Sequence, residues 1–259
     1  MAGATHLYSN FGPGGQFVTA GPQHNNTSSG NQFIAQNMSF HAAEEGLPSL
    51  LADLRITDPR DDKDRIEHTK GGLLRDSYRW ILDNAEFQGW QNDAERRLLW
   101  VRGDPGKGKT MLLCGLIDEL EGMGFEPVYF FCQATDARLN TATAVLRGLM
   151  YLLLLKMPSL IQYANDKHKY ARKKLFEDVN SWTALRKIFI EMLHQRVQSL
   201  DNIILVIDAL DECTTDLREL LDLVIVLSST SIRVIVSSRN WPSIQQFMAR
   251  AERQYPICL

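Results

Sequence analysis

Four short apolar runs divide the chain from residue 97 onward. They are residues 97–102, Pro127–Cys132, Ile203–Asp208 and Ile232–Ser238, and a fifth opens at Tyr255. None alternates apolar with polar residues, which is the pattern of parallel strands covered on both faces. Helical patterns separate them. Met111–Leu120 follows the first run, Thr143–Met157 is strongly apolar and ends near Pro158, and 160–178 reads as helical. Ser181 is placed to cap the next helix, with Trp182, Leu185, Phe189, Met192 and Val197 on one face. Another helix begins around Asp216. Strands alternating with helices predict an α/β fold built on a parallel sheet.

Upstream, 44–54 reads as a short helix and 57–64 as an exposed, charged connector carrying Pro59. Lys70, Gly71 and Gly72 make a turn. Leu74, Tyr78, Ile81 and Leu82 recur at helical spacing and predict one amphipathic helix. Phe87 and Trp90 read as core, with a wall for a nucleotide base as the alternative.

Composition narrows the class. At 259 residues, 44% hydrophobic and net charge −3, the chain has an ordinary globular make-up and no basic surface for nucleic acid. Cys114, Cys132, Cys213 and Cys258 show neither C-x-x-C pairing nor metal-ligand spacing, which points to a reducing, cytoplasmic setting. The longest apolar run, near Leu149–Leu155, falls well short of the ~20 residues a membrane helix needs.

The candidate chemistry starts at Gly103-Asp104-Pro105-Gly106-Lys107-Gly108-Lys109-Thr110. This fits G-x-x-x-x-G-K-[ST] between an apolar strand and a helix, the context in which a P-loop cradles nucleotide phosphates. Glycines let backbone N–H groups face inward at the positive end of a helix. Lys109 is placed to reach the β- and γ-phosphates, and the Thr110 hydroxyl to hold Mg²⁺. The third apolar run ends in acids at Asp208, Asp211 and Glu212. An acid at the carboxyl end of such a strand is placed to hold Mg²⁺, so Asp208 joins Thr110 as the metal pair. Asp211 or Glu212 is placed to activate a water. Arg239, directly after the fourth run, is a candidate γ-phosphate contact. A basic cluster at Lys167, His168, Lys169, Arg172, Lys173 and Lys174 reads as a solvated face, and neither His168 nor His194 is assigned chemistry.

The first 43 residues differ from the rest. They contain no Asp, Glu, Lys or Arg, and Gly14-Gly15-Gln16-Phe17 returns as Gly30-Asn31-Gln32-Phe33. Such a segment cannot bury enough apolar surface to fold alone and reads as a disordered low-complexity tail. Uncharged Asn- and Gln-rich sequence with aromatics can instead stack as cross-β rungs.

Together, residues 103–110, Leu205–Cys213 and Val234–Arg239 resemble a NACHT domain, the NTPase module of NOD-like receptors within the STAND class. Arg65–Leu74 and Trp80-Ile81-Leu82 resemble the lead-in of filamentous-fungal members. The resemblance implies an ATP- or GTP-dependent switch with Mg²⁺, slow hydrolysis and self-oligomerisation, while the net charge and the short apolar runs predict no nucleic-acid partner and no membrane span. It implies that Lys70–Leu73 line the base pocket and that Arg239 senses the γ-phosphate. It also implies a sheet with an extra strand between the phosphate-loop strand and the Asp208 strand. Phe11–Gln16 and 24–33 resemble the short amyloid signalling motifs that begin some fungal receptors, whose partner is an effector carrying a matching motif. The expected organisation is a tail over 1–43, a charged linker with a short helix over 44–70, and an NTPase domain over 71–259 that is C-terminally truncated. The rival expectations are a non-enzymatic adaptor acting through the tail and a P-loop kinase.

Overall fold

A computed structural model describes residues 46–95, 97–194, 198–251 and 254–259. The tail reading over 1–43 and the helical position of Val197 lie outside the described residues. Five parallel strands form one sheet in the order β2-β3-β4-β1-β5. They are β1 (Leu98–Arg102), β2 (Glu126–Phe131), β3 (Ile203–Asp208), β4 (Arg233–Ser238) and β5 (Gln254–Cys258). Strand β4 lies between β1 and β3, so the expected inserted strand is present. Register aligns the functional strand ends. Arg102 pairs with Ser238 across β1 and β4, and Phe131 pairs with Asp208 across β2 and β3. Every residue of β3 is buried, as its unbroken apolar run requires.

Helix α5 (Lys109–Gly122) follows the phosphate loop, and α6 (Ala142–Lys156) packs on β2. The α6 start is capped by Thr141, whose Oγ1 accepts from the Ala144 N–H at 3.0 Å. Helix α9 (Ser181–Leu193) buries Leu185, Phe189 and Met192 and lies against α6. Helix α10 (Leu217–Ser228) leads into β4, and α11 (Pro242–Met248) follows it.

Several local expectations change. The stretch expected as an exposed connector is helical from Pro59: helix α2 spans Pro59–Thr69, after helix α1 over 46–54. Proline suits the first helical position, where its missing N–H costs nothing. Asp58 caps the helix by accepting from the Arg60 N–H, and Lys63 is buried against Asp118 of α5 at 2.7 Å. Charge here marks a capped, docked helix rather than an exposed linker.

The amphipathic helix expected over Leu74–Leu82 is a single turn, α3 (Arg75–Tyr78), that tightens into a 3-10 segment, Arg79–Asp83. Tyr78 and Ile81 turn inward, while Leu74 sits before the helix and stays 72% exposed. Phe87 and Trp90, on α4 (Ala85–Asn92), are core residues. The expected helix over 160–178 breaks into a 3-10 turn, α7 (Gln162–Ala171) and α8 (Lys174–Glu177), because Arg172 takes φ 50°. His168 is not part of a solvated face. It is buried, with Nε2 2.8 Å from Asp53 Oδ2 on α1. Asn180, not Ser181, occupies the cap of α9, and Asp216 heads α10 without a side-chain capping bond.

Gly115 shows what ties the lead-in to the site. A Cβ there would lie 2.4 Å from the Tyr78 ring, so α3 packs directly on the α5 backbone. Alanine would favour the helix by about 1 kcal/mol, but overpacking costs about 1–3 kcal/mol. Gly115→Ala is therefore expected to lower Tm in a thermal melt by a few degrees, at roughly 2–4 °C per kcal/mol for a domain of this size. An unchanged or raised Tm would show that the lead-in is not seated on α5.

Candidate functional site

The loop 103–108 leaves β1 and enters α5. Gly106 and Gly108 take φ of 77° and 79°, a region open to glycine and costly for other residues. The loop thereby delivers Lys109 and Thr110 onto the first turn of α5. The Lys109 ammonium donates to the loop's own carbonyls, Gly103 at 2.7 Å and Asp104 at 3.0 Å. These bonds tie the Lys109 side chain back onto the loop.

Asp208 ends β3 and is 2% exposed. Its Oδ1 accepts from Ser237 Oγ of β4, and Thr110 also hydrogen-bonds to it. Ser237 Oγ in turn accepts from the Ala209 N–H at 2.8 Å. Burial pushes the Asp208 carboxyl above the usual carboxylate range, and Asp211 and Glu212 add to the rise, although the two hydroxyl bonds oppose it. A buried carboxylate held up in this way, beside a threonine hydroxyl on the phosphate loop, is a donor set that suits a hard cation. Thr110 and Asp208 therefore fit Mg²⁺. Among the described residues no group of three or more His, Cys, Asp or Glu side chains forms a separate metal site.

After Asp208 the chain turns sharply. Ala209 adopts φ 54° and ψ 53°, and the 3-10 turn Leu210–Glu212 presents two acids. Asp211 is buried, and Arg239 covers it: the Arg239 N–H donates to Oδ1 at 2.8 Å and Nε lies 3.0 Å from Oδ2. Glu212 points the other way. Its Oε2 accepts from the Ala134 N–H at 3.0 Å, and its Oε1 is 3.7 Å from Arg239 Nη2.

Pro105 to Thr110, Asp208, Asp211, Glu212 and Arg239 thus face one cavity of about 340 Å³, which Ser237 and Lys70 also line. Gly103 and Asp104 stand at the loop's entrance as backbone acceptors. A second cavity of about 370 Å³ shares Lys70, Lys107, Gly108 and Met111 with the first. Leu74, Ser77 and Trp80 form its other side, and Trp80 donates its Nε1–H to the Ser77 carbonyl at 3.0 Å. Lys70 and Gly72, expected near the base, line this space. Phe87 and Trp90 do not. A larger cavity of about 600 Å³ opens where β1 and β4 begin, and no phosphate-loop residue lines it.

The Ser237 bridge, the Ala134 clamp on Glu212 and the Trp80 wall were not assigned from sequence. Ser237 had a signal in the Ser-Ser-Arg strand end. Ala134 had none, because it acts through its backbone.

Asp208 supplies a stability test. A folded-state pKa above the unfolded one means the folded state binds the proton more tightly. Stability from this group is full below the unfolded pKa, near 4, and is lost as pH rises through the window up to the folded value. At neutral pH the carboxylate costs stability. Asp208→Asn, which keeps an acceptor for Ser237, is expected to melt higher than the parent at pH 7, with the gap closing toward pH 4. An Asn variant less stable than the parent at pH 7 would refute this account of the carboxylate.

Comparison with known proteins gives the chain a family. The family model described as Nephrocystin 3, N-terminal, matches residues 76–239, from the start of α3 to Arg239. The vegetative incompatibility protein HET-E-1 of Podospora anserina is 53% identical over 213 residues, 81% of this chain and 16% of that protein. The chain thus spans about a sixth of the length of that relative. Among solved structures, a chain in the structure of Drosophila ORC bound to DNA aligns at 15% identity over 86% of this chain and 55% of its own, with a TM-score of 0.35. A chain from the structure of C. elegans PCH-2 aligns at 13% identity over 82% of this chain and 46% of its own, with a TM-score of 0.29. Those two scores are too low to bear on the fold. The family match covers most of the described chain and both halves of the site, and the chain belongs to the NACHT-like family described as Nephrocystin 3, N-terminal.

Proposed function

We propose that this domain is a nucleotide-binding signalling switch of a fungal NACHT receptor, taking ATP or GTP with Mg²⁺ and hydrolysing it slowly. The observation that carries the reading is the Thr110–Asp208–Ser237 chain of contacts, which ties the phosphate loop, the β3 acid and the β4 end into one cavity. Backbone N–H groups of 106–110 bind the phosphates, at the positive end of α5. Lys109 releases the Gly103 and Asp104 carbonyls and turns to the β- and γ-phosphates. Thr110 and Asp208 hold the Mg²⁺, which supplies charge neutralisation on the phosphate oxygens when bound. Glu212 takes the proton of the attacking water. Its carboxylate is oriented by the Ala134 N–H and only loosely approached by Arg239, whereas Asp211 is engaged by Arg239 on both oxygens. Arg239 contacts the γ-phosphate, and Lys70 with its neighbours borders the base.

The name of the HET-E-1 relative supports a role in vegetative incompatibility, with the 1–43 segment as the output and the NTPase domain from about residue 71 as the switch. Nucleotide exchange favours oligomerisation, and clustered tails then template an amyloid fold on an effector with a matching motif. Clustering matters because tethering raises the local concentration of the segments that pair. No helix among the described residues is long and apolar enough to cross a membrane.

Saturating Mg²⁺–nucleotide, at ~100 times Kd, is expected to add about 2.7 kcal/mol of stability, a Tm rise of roughly 5–10 °C. Lys109→Ala should abolish the shift. Glu212→Gln should retain it while lowering turnover by ~10²–10⁴-fold, the scale of lost general-base catalysis. No shift with either ATP or GTP would favour a non-enzymatic adaptor. In parallel, a peptide of residues 1–43 is expected to form thioflavin-positive fibrils. A peptide that stays monomeric even when seeded would remove the amyloid output.

A further inference from the structure

Asp211 is the one acid of the cavity whose two oxygens are both spent on the same residue. Oδ1 accepts the backbone N–H of Arg239 at 2.8 Å, and Oδ2 sits 3.0 Å from its Nε. One buried carboxylate therefore fixes both the backbone and the head of Arg239. The Arg239 side chain is 39% exposed, and its Nη2 meets Glu212 at a loose 3.7 Å. Arg239 also lines the cavity shared with Lys109 and Thr110. The turn that makes this possible is strained. Ala209 is held at φ 54°, in the left-handed region that is unfavourable for a non-glycine residue. It is kept there by its N–H bond to Ser237 and by the Glu212 N–H, which donates to the Ala209 carbonyl at 2.8 Å. Strain of this kind persists only where surrounding contacts over-determine it, and it collects at functional sites.

We propose that Asp211 is a positioning residue that makes Arg239 a discriminator of nucleoside triphosphate from diphosphate. The inference rests on the nucleotide reading above and deepens it. The Nε bond to Asp211 orients the planar guanidinium, so its outer donors are pre-aligned for a γ-phosphate, and little rotamer entropy is lost on contact. Asp211 also keeps Arg239 off Glu212. Without the Asp211 charge, the guanidinium swings onto the Glu212 carboxylate 3.7 Å away. That movement removes the γ-phosphate contact and ties up the group that receives the water's proton. A diphosphate, which lacks the γ-phosphate, binds without calling on either residue.

The test is calorimetric binding of Mg²⁺ with a non-hydrolysable triphosphate analogue and with the matching diphosphate, on the full chain. In Asp211→Asn the ratio of diphosphate Kd to triphosphate Kd is expected to fall about ten-fold, while the diphosphate Kd changes less than two-fold. Arg239→Ala should give the same fall, and the double variant should fall no further, because the two residues act as a unit. Adding Glu212→Gln to Asp211→Asn removes the competing carboxylate and should restore part of the ratio. Arg239→Lys, in a half-exposed side chain, covers the case in which Asp211→Asn does not fold; a lysine cannot keep the Nε contact, so the ratio should fall as for Arg239→Ala. A ratio that is unchanged or raised in Asp211→Asn overturns the proposal. So does a parallel loss of both affinities, or a double variant whose fall is the product of the singles. A parent protein that binds neither nucleotide, or a Lys109→Ala variant that binds both as well as the parent, sinks the nucleotide reading itself and is a separate result.

Discussion

The site depends on a carboxylate that has been taken out of water. Asp208 stands at the end of the central strand β3, and its burial is costly unless other groups answer it. They come from two elements, Ser237 from β4 and Thr110 from α5, and Ser237 is itself held by the N–H of Ala209. Each of these groups belongs to the candidate site. The same bonds that satisfy Asp208 hold the phosphate loop, the strand-end acids and Arg239 within one cavity. The rise in its pKa is the cost this burial leaves standing.

Sheet order makes that meeting possible. Because β4 lies between β1 and β3, Ser237 and Arg239 sit between the phosphate loop and the acids, within reach of both. In a sheet with β1 directly beside β3, that intervening strand end would be missing. The strained Ala209 turn then splits the two neighbouring acids: Asp211 turns under Arg239, while Glu212 turns toward the β2–α6 loop and the Ala134 N–H. Two adjacent carboxylates thereby acquire different nearest partners. The lead-in is tied to the same frame, since Tyr78 lies against the bare backbone of Gly115 on the phosphate-loop helix.

Much of this was legible in the residues. The strand runs, the phosphate loop and the acids at 208–212 were readable because each is local: a strand covered on both faces is apolar without alternation, and a phosphate cradle needs glycines at set spacings. The misreadings were also local. Charge and Pro59 suggested an exposed connector over 57–64, yet Pro59 opens a helix and Lys63 is buried against Asp118. A basic run suggested that His168 faces solvent, yet it is buried against Asp53 on α1, more than a hundred positions away. In both places the deciding partner was far off in sequence, where composition carries no record of it.

The sequence by itself determined the class of chemistry, because residue type and short-range spacing set what a glycine loop, a threonine and a strand-end acid can do. It also determined the alternation of strand and helix that makes an open parallel sheet. Only the tertiary structure decided how those parts divide the work. The pairing of Asp211 with Arg239, the clamp of Ala134 on Glu212 and the bridge of Ser237 to Asp208 each join residues some 28 to 78 positions apart. Such contacts follow from strand order and turn geometry, which arise when distant apolar runs pack into one core, and no window along the chain contains them.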